Sequence, residues 1–291
     1  MRCGSQSMVA PLQRVIVKRP QEAYRNQFII QEQFQELNYV EEPDMVRAVD
    51  EHAVLVRLLE SFGAEVLTLP VDDRTGLDSI YTHDPGIVTD AGAILFKTGK
   101  LLRRGEGPAM ADAMRRWDIP VLGMIEGEAT AEGGDMIWLN SSTLLVGHGF
   151  RTNAAGIDAL RNLLTPLHIR VIEFHLPYWN GPADVLHLMS FVSLLDADLA
   201  VIYRRLMPAP LFELLSRNGI QMIDIAEQEY YTLGCNVLAL APREVLMAEG
   251  NPVTRSRLET AGCRVREFPG HEIALKGSGG PTCLTRPVSR G

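Results

Sequence analysis

Cysteine is scarce. The chain has four in 291 residues, Cys3, Cys235, Cys263 and Cys283, all far apart. No two have the close spacing of a zinc cage or of a disulfide-stapled secreted scaffold, which argues against both. Long apolar runs are missing as well. Stretches such as residues 92–96 and 192–195 fall far short of the roughly 20 residues that a membrane span requires. Residues 1–20 are interrupted by Arg2, Gln6, Gln13 and Arg14, so no signal-peptide core is expected there. Positive charge is in deficit, with 28 Lys and Arg against 36 Asp and Glu and a formal charge of −8. That balance gives no global attraction to phosphate backbones, so nucleic acid is not an expected partner. Apolar residues are plentiful at 46%, which excludes a disordered chain and supplies a large core. The expectation is a cytoplasmic globular protein with no membrane partner.

The chain repeats itself. An apolar helical pattern ends in a turn and leads at once into a β-branched strand, at five junctions: Phe62-Gly63-Ala64-Glu65-Val66, Trp117-Asp118-Ile119-Pro120-Val121, Leu167-His168-Ile169-Arg170-Val171, Asn218-Gly219-Ile220-Gln221-Met222 and Ala261-Gly262-Cys263-Arg264-Val265. Their last residues lie 55, 50, 51 and 43 positions apart, a period that marks a propeller, solenoid or array. Helical faces are legible in Val54, Val56, Leu58 and Leu59 and again in Leu160, Leu163 and Leu164. Gly63, Gly219 and Gly262 stand where a helix C-terminus favours a left-handed residue. Between the junctions lie strand pairs with tight turns, such as 87–89 with 93–96, 136–139 with 143–147 and 237–240 with 244–248. Each unit therefore reads strand, strand, helix, strand. Hairpin turns argue against a linear parallel sheet, and closing the units into a ring removes most edges. The expected fold is a five-bladed α/β propeller of ββαβ units, one domain over residues 1–291, with its site at the central mouth.

Several residues there can carry chemistry. In Lys276-Gly277-Ser278-Gly279-Gly280-Pro281-Thr282-Cys283, glycines allow close backbone approach just before a thiol. Cys283 reads either as a nucleophile or as a small buried residue. His187 interrupts the apolar stretch Asp184-Val185-Leu186-His187-Leu188-Met189-Ser190, read as a strand, and fits a proton carrier or a satisfied core histidine. Asp78 and Asp84, six apart, would share one face of an extended strand. Glu132-Gly133-Gly134-Asp135 sets two carboxylates around a glycine pair. Arg103-Arg104 and Arg151 fit surface charge or an anion site equally well.

In order along the chain, Asp-x5-Asp-Pro, Arg-Arg-Gly-Glu, Glu-Gly-Gly-Asp, Arg-Thr-Asn, His-Leu-x-Ser and Gly-Gly-x-x-Cys resemble the guanidino-group-modifying (amidinotransferase, or pentein) superfamily. Within it the likeness is nearest to the dimethylarginine dimethylaminohydrolases. The resemblance implies a five-bladed α/β propeller and a cysteine-dependent hydrolase of a guanidino C–N bond. It makes Cys283 the nucleophile, His187 the general acid and base, and Glu132 and Asp84 the carboxylates on either side of the guanidinium. Asp78 would read the substrate's α-amino group, and Arg103 with Arg151 its α-carboxylate. His83, where Glu is usual, and Met189, where Lys is usual, depart from the pattern beside the guanidinium, so Met189 is expected as an apolar wall for an N-substituent or as plain core. The implied route runs through a covalent thiouronium to a ureido product and needs no metal or organic cofactor. The expected partner is a small guanidino substrate, with self-association left open. An amidinotransferase and a non-catalytic binding protein on the same fold are the alternatives. Residues 24–39 read as a lid or as an amphipathic surface helix.

Overall fold

The computed structural model describes residues 3–291. The chain opens with β1 (Leu12–Val17), α1 (Pro20–Ala23), α2 (Gln27–Gln33), α3 (Met45–Phe62) and β2 (Glu65–Thr68). Four ββαβ units follow. They are β3 (Gly86–Thr89), β4 (Gly92–Leu95), α4 (Glu106–Arg116) and β5 (Val121–Met124); β6 (Met136–Asn140), β7 (Thr143–His148), α5 (Ala154–Leu164) and β8 (Arg170–His175). Next come β9 (Val192–Asp196), β10 (Leu199–Ile202), α6 (Ala209–Arg217) and β11 (Gln221–Asp224), then β12 (Leu238–Ala241), β13 (Glu244–Ala248), α7 (Pro252–Thr260) and β14 (Arg264–Phe268). The last strand is β15 (Arg286–Arg290). Each unit makes one three-stranded sheet, an antiparallel hairpin followed through a helix by a parallel strand. The fifth blade is assembled from both ends of the described chain: β15 pairs antiparallel with β1, and β1 pairs parallel with β2. The ring is thereby closed.

The five junctions share one geometry. The residue after each helical turn has a left-handed backbone, with φ of 104° at Gly63, 53° at Asp118, 58° at His168, 72° at Gly219 and 88° at Gly262. The next amide donates to a carbonyl five residues back, at Leu59, Met114, Leu164, Leu215 and Leu258, over 2.9–3.2 Å. This is the Schellman closure. The five accepting residues also carry buried side chains, each worth roughly 1.5–3 kcal/mol of transfer free energy. One residue thus ends the helix, aims the next strand and anchors the helix to its sheet.

Burial runs outward in every blade. β3, β4 and β10 are buried throughout, whereas β2, β5, β8, β11 and β14 at the rim are half-exposed. Neighbouring blades pack through β9 with β12, β12 with β1 and β15 with β3. Apolar side chains gather in four clusters rather than one core, one of them joining Leu211 and Leu215 of α6 with Leu258 of α7. Because the first two strands of a blade are antiparallel, the start of one and the end of the other lie at the same end of the ring. The segments ahead of β3, β6, β9, β12 and β15 and those after β4 and β7 therefore converge there. No helix among the described residues is long and apolar enough to cross a membrane.

Candidate active site

These converging segments line a cavity of about 280 Å³. Seven of the expected residues face it: Asp78, Asp84, Arg103, Arg151, His187, Met189 and Cys283. Glu132 does not. It is fully buried behind His187, its Oε2 lying 2.7 Å from His187 Nε2 and its Oε1 accepting from the Gly99 and Lys100 amides at 3.0 and 3.3 Å. Glu132 is therefore engaged with the imidazole rather than standing open to a guanidinium, a difference from the sequence expectation; it lies ahead of the 3₁₀ turn Gly133–Asp135 that leads into β6.

Two local readings also change. Asp78 lies in a 3₁₀ turn, Leu77–Ile80, and Asp84 in the turn before β3, so they do not share a strand face. His187 is an extended residue that caps a short 3₁₀ turn, Leu188–Ser190, instead of sitting within a strand. Its backbone amide donates to Ser190 Oγ at 3.0 Å, and its ring lies flat against Gly134, where a Cβ would stand 2.2 Å from Nδ1. That close approach is what the glycine pair after Glu132 provides. Asp135 holds the segment from below, accepting from the Leu188 amide at 3.1 Å and the Thr152 hydroxyl at 2.6 Å.

Charge controls the protonation states. Burial disfavours the charged form of His187, but the carboxylates of Asp135, Asp84 and Glu132 outweigh it and raise the imidazole to about 9. Glu132 stays ionised, since the His187 hydrogen bond and charge overcome its burial. Burial pushes the Cys283 thiol up to about 12, Asp84 adding to the rise while a hydrogen bond from Asn236 opposes it. The resting pair is an imidazolium and a thiol.

Asn236 was not visible in the sequence. Its Nδ2 donates to Cys283 Sγ at 3.2 Å, and its Oδ1 accepts from the Thr282 amide at 3.1 Å. The only trace was Gly280, where a Cβ would meet Asn236 at 2.6 Å. Lys100 was missed too. Its ammonium lies 2.6 Å from Asp78 Oδ2 and 2.6 Å from the Leu37 carbonyl, so Asp78 is already paired. Arg103 is also committed: it makes a two-pronged pair with Glu106 at 2.9 and 2.8 Å and donates to Asp84 Oδ2 at 2.7 Å. Only 4% exposed, it is a buried brace for the carboxylates, because the turn after β4 points its side chain back under them. Arg151 donates to the Asp184 carbonyl at 3.3 Å and lies 3.7 Å from Glu132.

Met189 is 3% exposed, packs into a core cluster and lines the cavity. His83, buried in the same cavity wall, donates from Nδ1 to the Thr285 carbonyl over 2.9 Å, and burial drives its basicity well down. Of residues 24–39, α2 lies on the surface while Leu37 and Asn38 reach the cavity mouth. Asp84, Glu132 and His187 are near enough for one ion to touch all three, but all three are buried, and the fixed cations Arg103 and Arg151 already stand against Asp84 and Glu132.

The N,N-dimethylarginine dimethylhydrolase (eukaryotic) family model matches residues 17–290. A dimethylarginine dimethylaminohydrolase of Pseudomonas aeruginosa is 27% identical, covering 85% of this chain and 91% of that protein. An uncharacterised Bacillus subtilis protein, YkgA, is 28% identical over 96% of this chain and 93% of its own length. An arginine deiminase of Mycobacterium marinum is 31% identical, but over only 56% of this chain and 47% of that protein. Among solved structures, a Pseudomonas aeruginosa dimethylarginine dimethylaminohydrolase variant in complex with citrulline superposes with a TM-score of 0.77 at 22% identity, covering 95% of this chain and 99% of that one. The N-terminal domain of a cyanobacterial arginine dihydrolase gives 0.79 at 20% identity, over 95% and 98%. With the five-bladed ring and a thiol, an imidazole and carboxylates gathered at its mouth, these matches lead to one conclusion: the chain belongs to the N,N-dimethylarginine dimethylhydrolase family, and it is a guanidino C–N hydrolase.

Proposed function

We propose that this hydrolase acts on a guanidino amino acid of the arginine or N-methylated arginine type, with Cys283 as nucleophile, His187 as general acid and base, Glu132 as the partner that keeps His187 charged, and Asp84 as the carboxylate that receives the guanidinium. The observation that carries the reading is the meeting of Cys283, Asp84 and His187 at one cavity, with Glu132 paired behind His187, from the entries to four different blades. A guanidinium stays protonated at neutral pH and pairs well with a carboxylate. Seated on Asp84, it cancels the negative charge that helps hold the thiol protonated, so the thiol releases its proton to solvent only once substrate is bound.

The thiolate adds to the central guanidinium carbon. His187 then donates a proton to the departing amine as the C–N bond breaks, leaving the amidino group bonded to sulfur as a thiouronium. The now neutral imidazole takes a proton from water, whose oxygen bonds to the same carbon. Collapse expels the Cys283 thiolate and yields a ureido product. Overall, guanidino compound and water give ureido compound and amine. Met189 supplies an apolar surface beside His187, which suits an N-alkyl substituent on the leaving nitrogen.

A panel of arginine, its N-methylated forms, agmatine and guanidino acids, assayed for ureido product, tests the reading. N-alkylated guanidines should exceed free arginine by about tenfold, the scale of one or two methyl groups entering an apolar site. Free arginine as the better substrate would remove Met189 from the specificity argument. Cys283→Ala should lose at least about a thousandfold in turnover while folding normally, and acid-quenched wild type should carry a mass adduct on the peptide containing Cys283. Near-normal activity in the alanine variant would sink the nucleophile assignment. An amine consumed in step with substrate would point to an amidinotransferase instead.

A further inference from the structure

At the ends of β7 and β8 in the second complete blade, three metal-ligating side chains that do not line the cavity around Cys283 meet. His148 ends β7 and His175 ends β8, and the two are register partners on parallel neighbouring strands. Glu173 lies two residues before His175 and so projects from the same face. His148 Nδ1 is 2.7 Å and His175 Nε2 3.7 Å from the same oxygen, Glu173 Oε1, and the three ligand atoms lie within 4.8 Å of one another. Tetrahedral ligands at about 2.0–2.1 Å from a zinc ion stand roughly 3.3 Å apart, a value that the two measured separations bracket. The residues are borne on strands, so the backbone needs no rearrangement to present them.

Their surroundings fit an ion as well. Glu173 Oε2 accepts from Arg161 Nη2 of α5 at 2.9 Å, an outer contact that fixes the carboxylate's orientation and leaves Oε1 for the histidines. The His148 and Glu173 side chains are about a quarter exposed and that of His175 is 78% exposed, so the cluster opens to solvent on one side. Next to it lies a depression of about 330 Å³, lined in part by Phe150 and Tyr178. Two imidazoles and one carboxylate favour zinc, copper or nickel over the hard cations magnesium and calcium.

We propose that His148, Glu173 and His175 form a binding site for a divalent ion of the zinc class. The proposal is independent of the catalytic assignments. Gly149, Phe150 and Arg151 follow His148 directly, and Arg151 also lines the catalytic cavity, so an ion here fixes the root of the turn that carries that arginine.

Equilibrium dialysis against Zn²⁺ at neutral pH tests it, in a Cys283→Ser background that weakens any binding at the catalytic cavity. That protein should retain one ion per chain at micromolar free metal. Adding His175→Ala or His148→Ala should weaken its binding by tenfold or more. Because the His175 side chain is largely exposed, its variant is not at risk of misfolding, and His175→Ala in the wild-type background should keep full hydrolase activity in metal-free buffer. No ion held at 100-fold higher zinc, or an ion held equally well by both histidine variants, would overturn the proposal.

Discussion

At the scale of single residues, the cavity differs from its sequence outline in how its charges are already spent. Asp78 is the residue expected to read an α-ammonium, yet Lys100 occupies it at 2.6 Å. An α-amino substrate therefore has to displace one ammonium with another. Lys100→Ala should lower KM for a guanidino α-amino acid by several-fold and leave a guanidino acid that lacks the α-amino group unchanged or weaker; equal KM values in variant and wild type would show that the pair is no obstacle. The His187–Glu132 pair makes a second prediction, about pH. In the proposed mechanism His187 releases the amine in its protonated form, and its folded value is raised to about 9, so activity should fall as pH rises through that value. Glu132→Gln removes one of the charges responsible, so the alkaline limb of kcat/KM should move to lower pH. An unmoved limb would mean that another group titrates. The residues that meet at the cavity were legible because they stand in short, distinctive strings. Lys100 and Asn236 were not, since their significance is a contact across 22 and 47 residues respectively, and nothing in the local sequence marks it. Arg103 looked like a substrate clamp for the same reason: its partner Glu106 is visible three residues on, but that the pair is buried depends on the whole turn.

At the scale of elements, the junctions were the most readable part of the chain because every piece of them is local. A glycine, Asp or His at the left-handed position, a buried apolar residue four before it and a strand straight after recur at each turn. What was not legible is the third hairpin in full, β9 with β10, whose strands are so apolar that alternation disappears, and the 3₁₀ turns around Asp78 and His187, too short for any periodicity to register. The junction geometry can be tested where space is not a confounder. A Cβ on Gly219 would meet nothing within 4 Å, yet its φ is 72°. Gly219→Ala should therefore destabilise through backbone strain alone, by about 1 kcal/mol, read as a lower urea midpoint with unchanged slope and unchanged specific activity in native buffer. No shift would mean that the chain relaxes the turn at little cost.

At the scale of the whole molecule, closure is the step that no local pattern announces, because β1 and β15 pair across more than 270 residues, as in Leu12 with Arg290. The ring could be argued only from the count of units and their shared need for burial. Its energetic weight is testable. Val288, in the middle of β15, is wholly buried between β1 and the first complete blade, so Val288→Asp should lower stability by several kcal/mol and abolish activity together with the cooperative urea transition; a folded, active variant would show that the fifth blade tolerates an open seam. The same seam has a consequence for how the protein is made. Synthesis proceeds from β1 onward, so four blades are complete while β1 still waits, its hydrogen-bonding edge bare, for a strand translated after all of them. The segment that brings Cys283 to the cavity is the one that ends this wait. A nascent chain thus carries a bare β1 edge and an incomplete cavity until β15 arrives, and one event covers the first and completes the second.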